Sequence, residues 1–356
     1  MGQETLADLD DCDAFVGSWF VSPSTLRVGL DLDGSLESLG NSMTDLADAI
    51  DRTGECELVR FRSRTSAQTD DETHLALRAL WSPLWRRSLG RSIDGLLSPV
   101  DVLHVAGLAT PPTQSIPLIV SVDDLRPLRG ETRTHLRINQ LRRAVLHGAT
   151  LVASSRSASH EVIGVLGVAR SRVVVVPPAV PRVDVTSDGT DLVVNITGVD
   201  ELFVALAPQL IAFAERHGSR VVALASTAAS QKIRSSGLAI TIRARQDARD
   251  ALANARVVLH LSDGARFPSF AIAALSAGVP TLARDTEINR ELLEGAAALV
   301  TDDREVGDTL EEVWTSGSRR SIMVAAGRSR AVDFAPDTAA RAYLSLYREV
   351  VRGWTA

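Results

Sequence analysis

The chain has 356 residues, 45% hydrophobic and 23% charged, the profile of a globular protein whose length suggests two domains. Its apolar runs fall short of the roughly 18 residues a membrane span needs, which argues against a transmembrane protein. A formal net charge of −6 argues against a nucleic-acid binder, whose affinity would rest on a basic surface. Two cysteines, Cys12 and Cys56, build no disulfide framework and no metal cluster. The acidic start, MGQETLADLDDCDAF, lacks the basic and apolar regions of a signal peptide, so a cytoplasmic protein is expected. Lys232 is the single lysine; arginine is a compositional bias here, and its abundance alone says nothing of function.

Residues 1–25 are acidic and irregular, an expected lead-in. Strand and helix signals then alternate. A strand is expected over 26–32, a helix over 41–51, and strands over 58–61, 101–105, 116–122 and 150–153. Helical spacing covers 137–147 and 157–166. The β-branched run 172–176 stops at Pro177 and Pro178. The stretch 177–191, rich in Pro, Ser, Thr, Asp and Gly, reads as a linker, with domains over 26–178 and 192–356.

Alternation resumes with strand 192–197, helix 201–217, strands 220–225 and 239–243, helix 248–254 and strand 257–261. A helix over 269–277 ends at Gly278, the residue expected just past a helix C-terminus. Strand 280–283 and helices over 287–294, 303–316, 319–332 and 337–352 close the chain. Near-continuous apolar strands separated by helices imply parallel sheets covered on both faces. The expectation is two doubly wound α/β domains facing a cleft, the last helix crossing back to the first domain. Ligands of such sheets sit at the carboxyl ends of strands, so the strand-to-helix turns carry the functional question.

Several turns, taken in order, resemble a known family. DVLH (101–104), VSVDDL (120–125), Ser155 with LGV (166–168) and VVVVPPAVP (173–181) fall in the first half. DGARFPSFAIAALSAGVPTLARDTEINRELLEGAAALVTDD (263–303) and AGRSRAVDFAPDTAARAYLSLYREV (326–350) fall in the second. The ordered set is similar to glycosyltransferase family 4, which implies the GT-B fold of two Rossmann-like domains. It also implies transfer of a sugar from a nucleotide-sugar donor, without a metal or other cofactor.

The same resemblance exposes four departures. Aligning Gly278-Val279-Pro280 on the family's glycine-valine-proline puts Ala265 and Ala273 where a pair of glutamates contacts donor hydroxyls, and a methyl group accepts no hydrogen bond. An arginine–lysine pair that grips the diphosphate is missing after strand 192–197, where Gly198-Val199-Asp200-Glu201 follows. There, Asp200 and Glu201 would themselves satisfy the positive end of the next helix. The family's histidine is Asp123, giving Asp123-Asp124, either an acid/base pair or two solvated carboxylates at a strand end. The donor loop reads Arg266-Phe267-Pro268, where proline removes an amide and Arg266 could replace the phosphate grip. The donor-facing set implied is Gly40, Gly198, Arg266, Phe267 and Ser269. His104 matches a family position, though a histidine at a strand end is more often a hydrogen-bonded packing residue than a catalyst. The other histidines show no metal spacing.

Trp81, Leu84, Trp85 and Leu89 share a helical face beside Arg86, Arg87 and Arg91. That face reads as packed on the first sheet, laid on an anionic membrane, or docked on a protein partner or a second copy. Two functions follow: a transferase with an unusual donor site, or a non-catalytic homologue that serves as a subunit or scaffold.

Overall fold

The computed structural model describes residues 25–32, 42–62, 92–95, 97, 99–106, 110–130, 134–185 and 189–354. Gly40 and the Trp81, Leu84, Trp85, Leu89 face lie outside them. The first six strands are β1 (Leu26–Asp31), β2 (Cys56–Phe61), β3 (Val102–Ala106), β4 (Leu118–Val122), β5 (Thr150–Ala153) and β6 (Val173–Val175). They form one parallel sheet in the order β2-β1-β3-β4-β5-β6. Every residue of β3 and β4 is buried, as a strand covered on both faces requires. Among the described residues its own helices are α1 (Ser42–Thr53), α2 (Thr134–Leu146) and α3 (Arg156–Leu166). The start of α3 is fixed by Ser155, whose hydroxyl accepts the Ala158 N–H, and its end by Gly167 at φ 63°, a left-handed conformation that favours glycine.

The second sheet takes β7 (Asp191–Thr197), β8 (Val221–Ala225), β9 (Thr241–Ala244), β10 (Ala255–Ser262), β11 (Thr281–Arg284) and β12 (Ala298–Val300). Its strands are parallel, in the order β12-β11-β10-β7-β8-β9. Its helices are α4 (Asp200–Arg216), α5 (Thr227–Ser235), α6 (Ala248–Ala253), α7 (Ser269–Ala277), α8 (Glu287–Leu293), α9 (Asp303–Thr315) and α10 (Gly317–Ala331). Two of these elements are absent from the sequence reading. The α5 stretch, TAASQKIRS, has too few apolar residues for a clear period; its start is signalled only by Ser226, which caps Ala229 N–H. Three-residue β12 is shorter than any pattern can register.

Residues 177–185, within the stretch read as a linker, make contacts with the second domain. Val180 and Val183 are buried in the second domain's core. Val180 N–H donates to Phe334 O at 2.9 Å, and β7 already begins at Asp191. The last helix, α11 (Pro336–Trp354), returns to the first domain. Its Ala340, Tyr343, Leu344 and Tyr347 share a core with Met43, Leu46, Ala47 and Ile50 of α1. No helix among the described residues is long and apolar enough to cross a membrane.

Strand order locates the crevices. From β7 the chain runs outward to β8 and β9, then returns to the other side of β7 as β10. The reversal lies at the carboxyl ends of β7 and β10, where open α/β sheets take their ligands.

Candidate functional site

At that reversal stand Gly198, after β7, and Asp263-Gly264, after β10. Gly198 turns the chain at φ 73°. A methyl group added to it would collide with the Asp263 carboxylate, so this carboxylate fills the space that the glycine leaves open. Asp263 Oδ1 also accepts the Ala265 N–H at 2.9 Å, and Asp263 N–H donates to Thr197 O at 3.1 Å. An acid thus occupies the crevice floor. Asp200 and Glu201 extend the negative charge into the first turn of α4. Lys232, on α5, approaches them at 3.8 and 3.9 Å, a cation that the sequence order hides.

The loop from Asp263 to Pro268 does not face an open cleft. Ala265 O accepts the Leu125 N–H of the first domain at 2.8 Å, and Asp124 and Arg266 form an antiparallel bridge. Arg266 Nη2 reaches Asp124 Oδ2 at 3.2 Å, while Arg126 holds the same carboxylate at 2.7 Å. Arg266, expected as a phosphate grip, directs its charge onto a carboxylate across the domain boundary. Asp124 is thus paired with two guanidiniums, Arg126 and Arg266.

Phe267, expected in the donor-facing set, lies in the second domain's core. It is buried, with its ring 5.8 Å from that of Phe334. Ser269 is buried in the first turn of α7. Ala265 and Ala273 are fully buried, so alanine at both positions serves packing.

Asp123 sits half-buried at the end of β4. Burial, reinforced by the neighbouring Asp124 charge, pushes its carboxyl up to about 6. His104 is fully buried, its Nδ1 2.7 Å from Tyr347 Oη and its Nε2 2.9 Å from Ser121 Oγ. Burial lowers its imidazole to about 3. It is a neutral packing residue that ties α11 to β3 and β4.

Three residues outside the sequence reading complete the boundary. Arg129 donates to Asp263 O and Gly264 O, each at 3.2 Å, and forks onto Glu161 at 2.7 and 2.8 Å. Glu291, on α8, accepts the Arg156 and Ser157 N–H groups at 2.7 and 2.8 Å, so a carboxylate of one domain caps a helix of the other. These pairs are more than 100 residues apart, except Arg129–Glu161, and no local motif marks them. Between the domains remains a cavity of about 130 Å³, lined by Arg129, Ser157, Glu161, Asp263, Thr286 and Glu287 among others. Pockets that hold drug-sized ligands run to roughly 300–1,000 Å³. Three carboxylates face one arginine there. Among the described residues no cluster of His, Cys, Asp and Glu is arranged to hold a metal ion.

No family model matches the sequence, and no curated protein does. Solved structures do resemble it. Sucrose-phosphate synthase from Thermosynechococcus elongatus aligns with TM-score 0.65 at 12% identity over 92% of this chain and 100% of its own. Anabaena HepE, solved with UDP and glucose, aligns with TM-score 0.61 at 14% identity over 90% and 99%. The N-terminal domain of Candida albicans trehalose-6-phosphate phosphatase aligns with TM-score 0.61 at 11% identity over 91% and 96%. The first two are GT-B glycosyltransferases. Two parallel six-stranded sheets, helices on both faces and a cleft between them give this chain the GT-B fold.

Proposed function

We propose that this protein is a glycosyltransferase-type GT-B protein, similar to family 4, that does not transfer sugar and acts by contact as a subunit of a partner. The observation that carries this reading is the 2.8 Å hydrogen bond from Leu125 N–H to Ala265 O. It joins the Asp123-Asp124 segment of the first domain to the loop that the resemblance assigns to the donor, so that loop is held against the other domain. Charge supports the same reading. A carboxylate ~6 Å from a phosphate charge costs roughly 3 kcal/mol at an effective dielectric of ~20, and Asp263, Asp200 and Glu201 all stand at the crevice that a diphosphate would enter.

The test is a thermal-shift titration with UDP-, GDP- and ADP-sugars. A ligand at ~100 times its Kd stabilises a fold by ~2.7 kcal/mol. No shift is expected at millimolar nucleotide sugar, and a clear shift with any of them overturns the reading. One observation favours a working transferase instead: Asp123, with its raised carboxyl, stands at the end of β4 where an acid/base residue would act. On that reading Asp123→Asn abolishes turnover.

A further inference from the structure

We infer that Arg256 and Arg320, where the second sheet meets the elbow between α9 and α10, form a binding site for a phosphate group. Arg256 lies at the start of β10 and Arg320 near the start of α10. Both are half-buried. From Arg256 the chain of β10 runs to Asp263, about 23 Å away at roughly 3.3 Å per residue. The pair therefore stands at the opposite end of the sheet from the cleft.

Arginines are common in this chain, so what singles these two out is their partners. Arg256 Nη2 donates to Trp314 O at 2.9 Å, and Arg320 Nη1 donates to Arg256 O at 2.9 Å. A guanidinium carries five N–H donors, and among the described residues no carboxylate takes the rest. The acids at the end of α9 are engaged elsewhere, Glu311 with Arg216 and His217, and Glu312 with Arg319. Arg256 Nε is buried and meets no acceptor. Burial, and after it the Arg256 charge, lowers the Arg320 guanidinium from its ordinary value. Two like charges held together away from water are costly until an anion joins them.

The setting prepares Arg256 to receive one. Its guanidinium lies over the buried Trp314 ring, 5.2 Å from the centroid, and such stacking holds the side chain in place while its edge stays able to donate. Ser316 joins the two helices and caps the Arg319 N–H, so the positive end of α10 adds to the attraction. Phosphate suits the pair better than a carboxylate does. Its dianion neutralises both charges and offers enough oxygens for two guanidinium forks, whereas a carboxylate neutralises only one.

Equilibrium dialysis with inorganic phosphate at constant ionic strength tests the inference. The intact chain is expected to bind phosphate saturably, and Arg256→Gln and Arg320→Gln should each weaken that binding roughly tenfold or more. Arg234→Gln, an exposed change in the same domain, controls for net charge and should bind as the parent does. Stability gives a second readout. In phosphate-free buffer Arg320→Gln relieves the like-charge pair, so its unfolding midpoint should hold or rise; a purely structural arginine would lower it. Competition with glycerol phosphate separates two sources of the same group: displacement supports a phosphomonoester, and its failure supports the free ion. Absence of phosphate binding, binding that survives both substitutions, an equal loss in Arg234→Gln, or a lowered midpoint in phosphate-free Arg320→Gln would each overturn the inference. The reading of the cleft is tested separately, because a nucleotide-sugar shift that Arg320→Gln retains arises at the cleft and one that it loses arises here.

Discussion

Asp123 shows how one residue can carry an energetic cost with no visible contact to explain it. Its carboxyl is pushed from 3.8 to about 6, first by burial and then by Asp124. An unfolded chain releases this proton near 4, whereas the folded protein keeps it to about 6. Between those values the native state binds more protons, so stability falls as pH rises, and the cost is complete above about 6. Two units correspond to roughly 3 kcal/mol. Asp123→Asn should therefore stabilise the fold by roughly 2–3 kcal/mol near neutral pH and by almost nothing near pH 4, as read from urea melts at both. Equal gains at both pH values would show that burial does not penalise this charge. His104 works with the opposite sign. Its folded value of about 3 lies below the ordinary 6.5, so stability is lost as pH falls below 6.5, and the Asn variant should keep that acid-side loss. The sequence pointed to both residues, yet it left Asp123 open between catalyst and solvated carboxylate. What decides its state is burial, together with the neighbouring Asp124 charge, and burial is a tertiary property that no local pattern shows.

At the scale of elements, the second domain was legible where punctuation is strong. The α7 helix runs from Ser269 to Ala277 as read, because Pro268 precedes it and Gly278 turns left-handed at φ 74° after it. Its meaning was less legible. A helix that is apolar all round must be buried on every side, and α7 is, packing against β10, β11 and α10. Alanine at position 273 satisfies that packing whatever its chemistry once was. The β7–α4 turn gives a sharper test. Gly198→Ala meets two separate penalties: a positive φ, costing about 1 kcal/mol or more, and collision with the Asp263 carboxylate. The single variant should lose roughly 2 kcal/mol or more. Adding Asp263→Gly removes only the collision, so a double-mutant cycle should show favourable coupling of roughly 1 kcal/mol. Strict additivity would mean that the carboxylate does not rest on the glycine.

The whole molecule was legible as two α/β units because alternation is a local signal, repeated along the chain. How those units meet was not. Leu125–Ala265, Asp124–Arg266, Arg129–Asp263 and Arg156–Glu291 each join segments more than 130 residues apart, and none of them leaves a spacing that a sequence could show. They are also mostly charged and partly exposed. Exposed ion pairs contribute only about 0.2–1 kcal/mol each, so the closed cleft rests on several small terms. Two connections are anchored otherwise: the 177–185 stretch, through buried Val180 and Val183, and α11, whose tyrosines meet His104 and Ser121. These act as the hinge, and the polar pairs act as the clasp. Arg129→Ala combined with Arg266→Ala removes two clasp pairs and leaves the hinge intact. At up to about 1 kcal/mol per pair, the closed-to-open ratio should fall by roughly tenfold. Small-angle scattering should then record a larger radius of gyration, while the unfolding midpoint moves little. The same variant isolates the two obstacles to a nucleotide sugar. If the opened cleft binds one, the clasp was the barrier. If it opens and still binds none, the carboxylates at Gly198 and the start of α4 are the barrier. Scattering that does not change would mean that the hinge alone holds the domains together, and that the contacts across the cleft follow from closure instead of causing it.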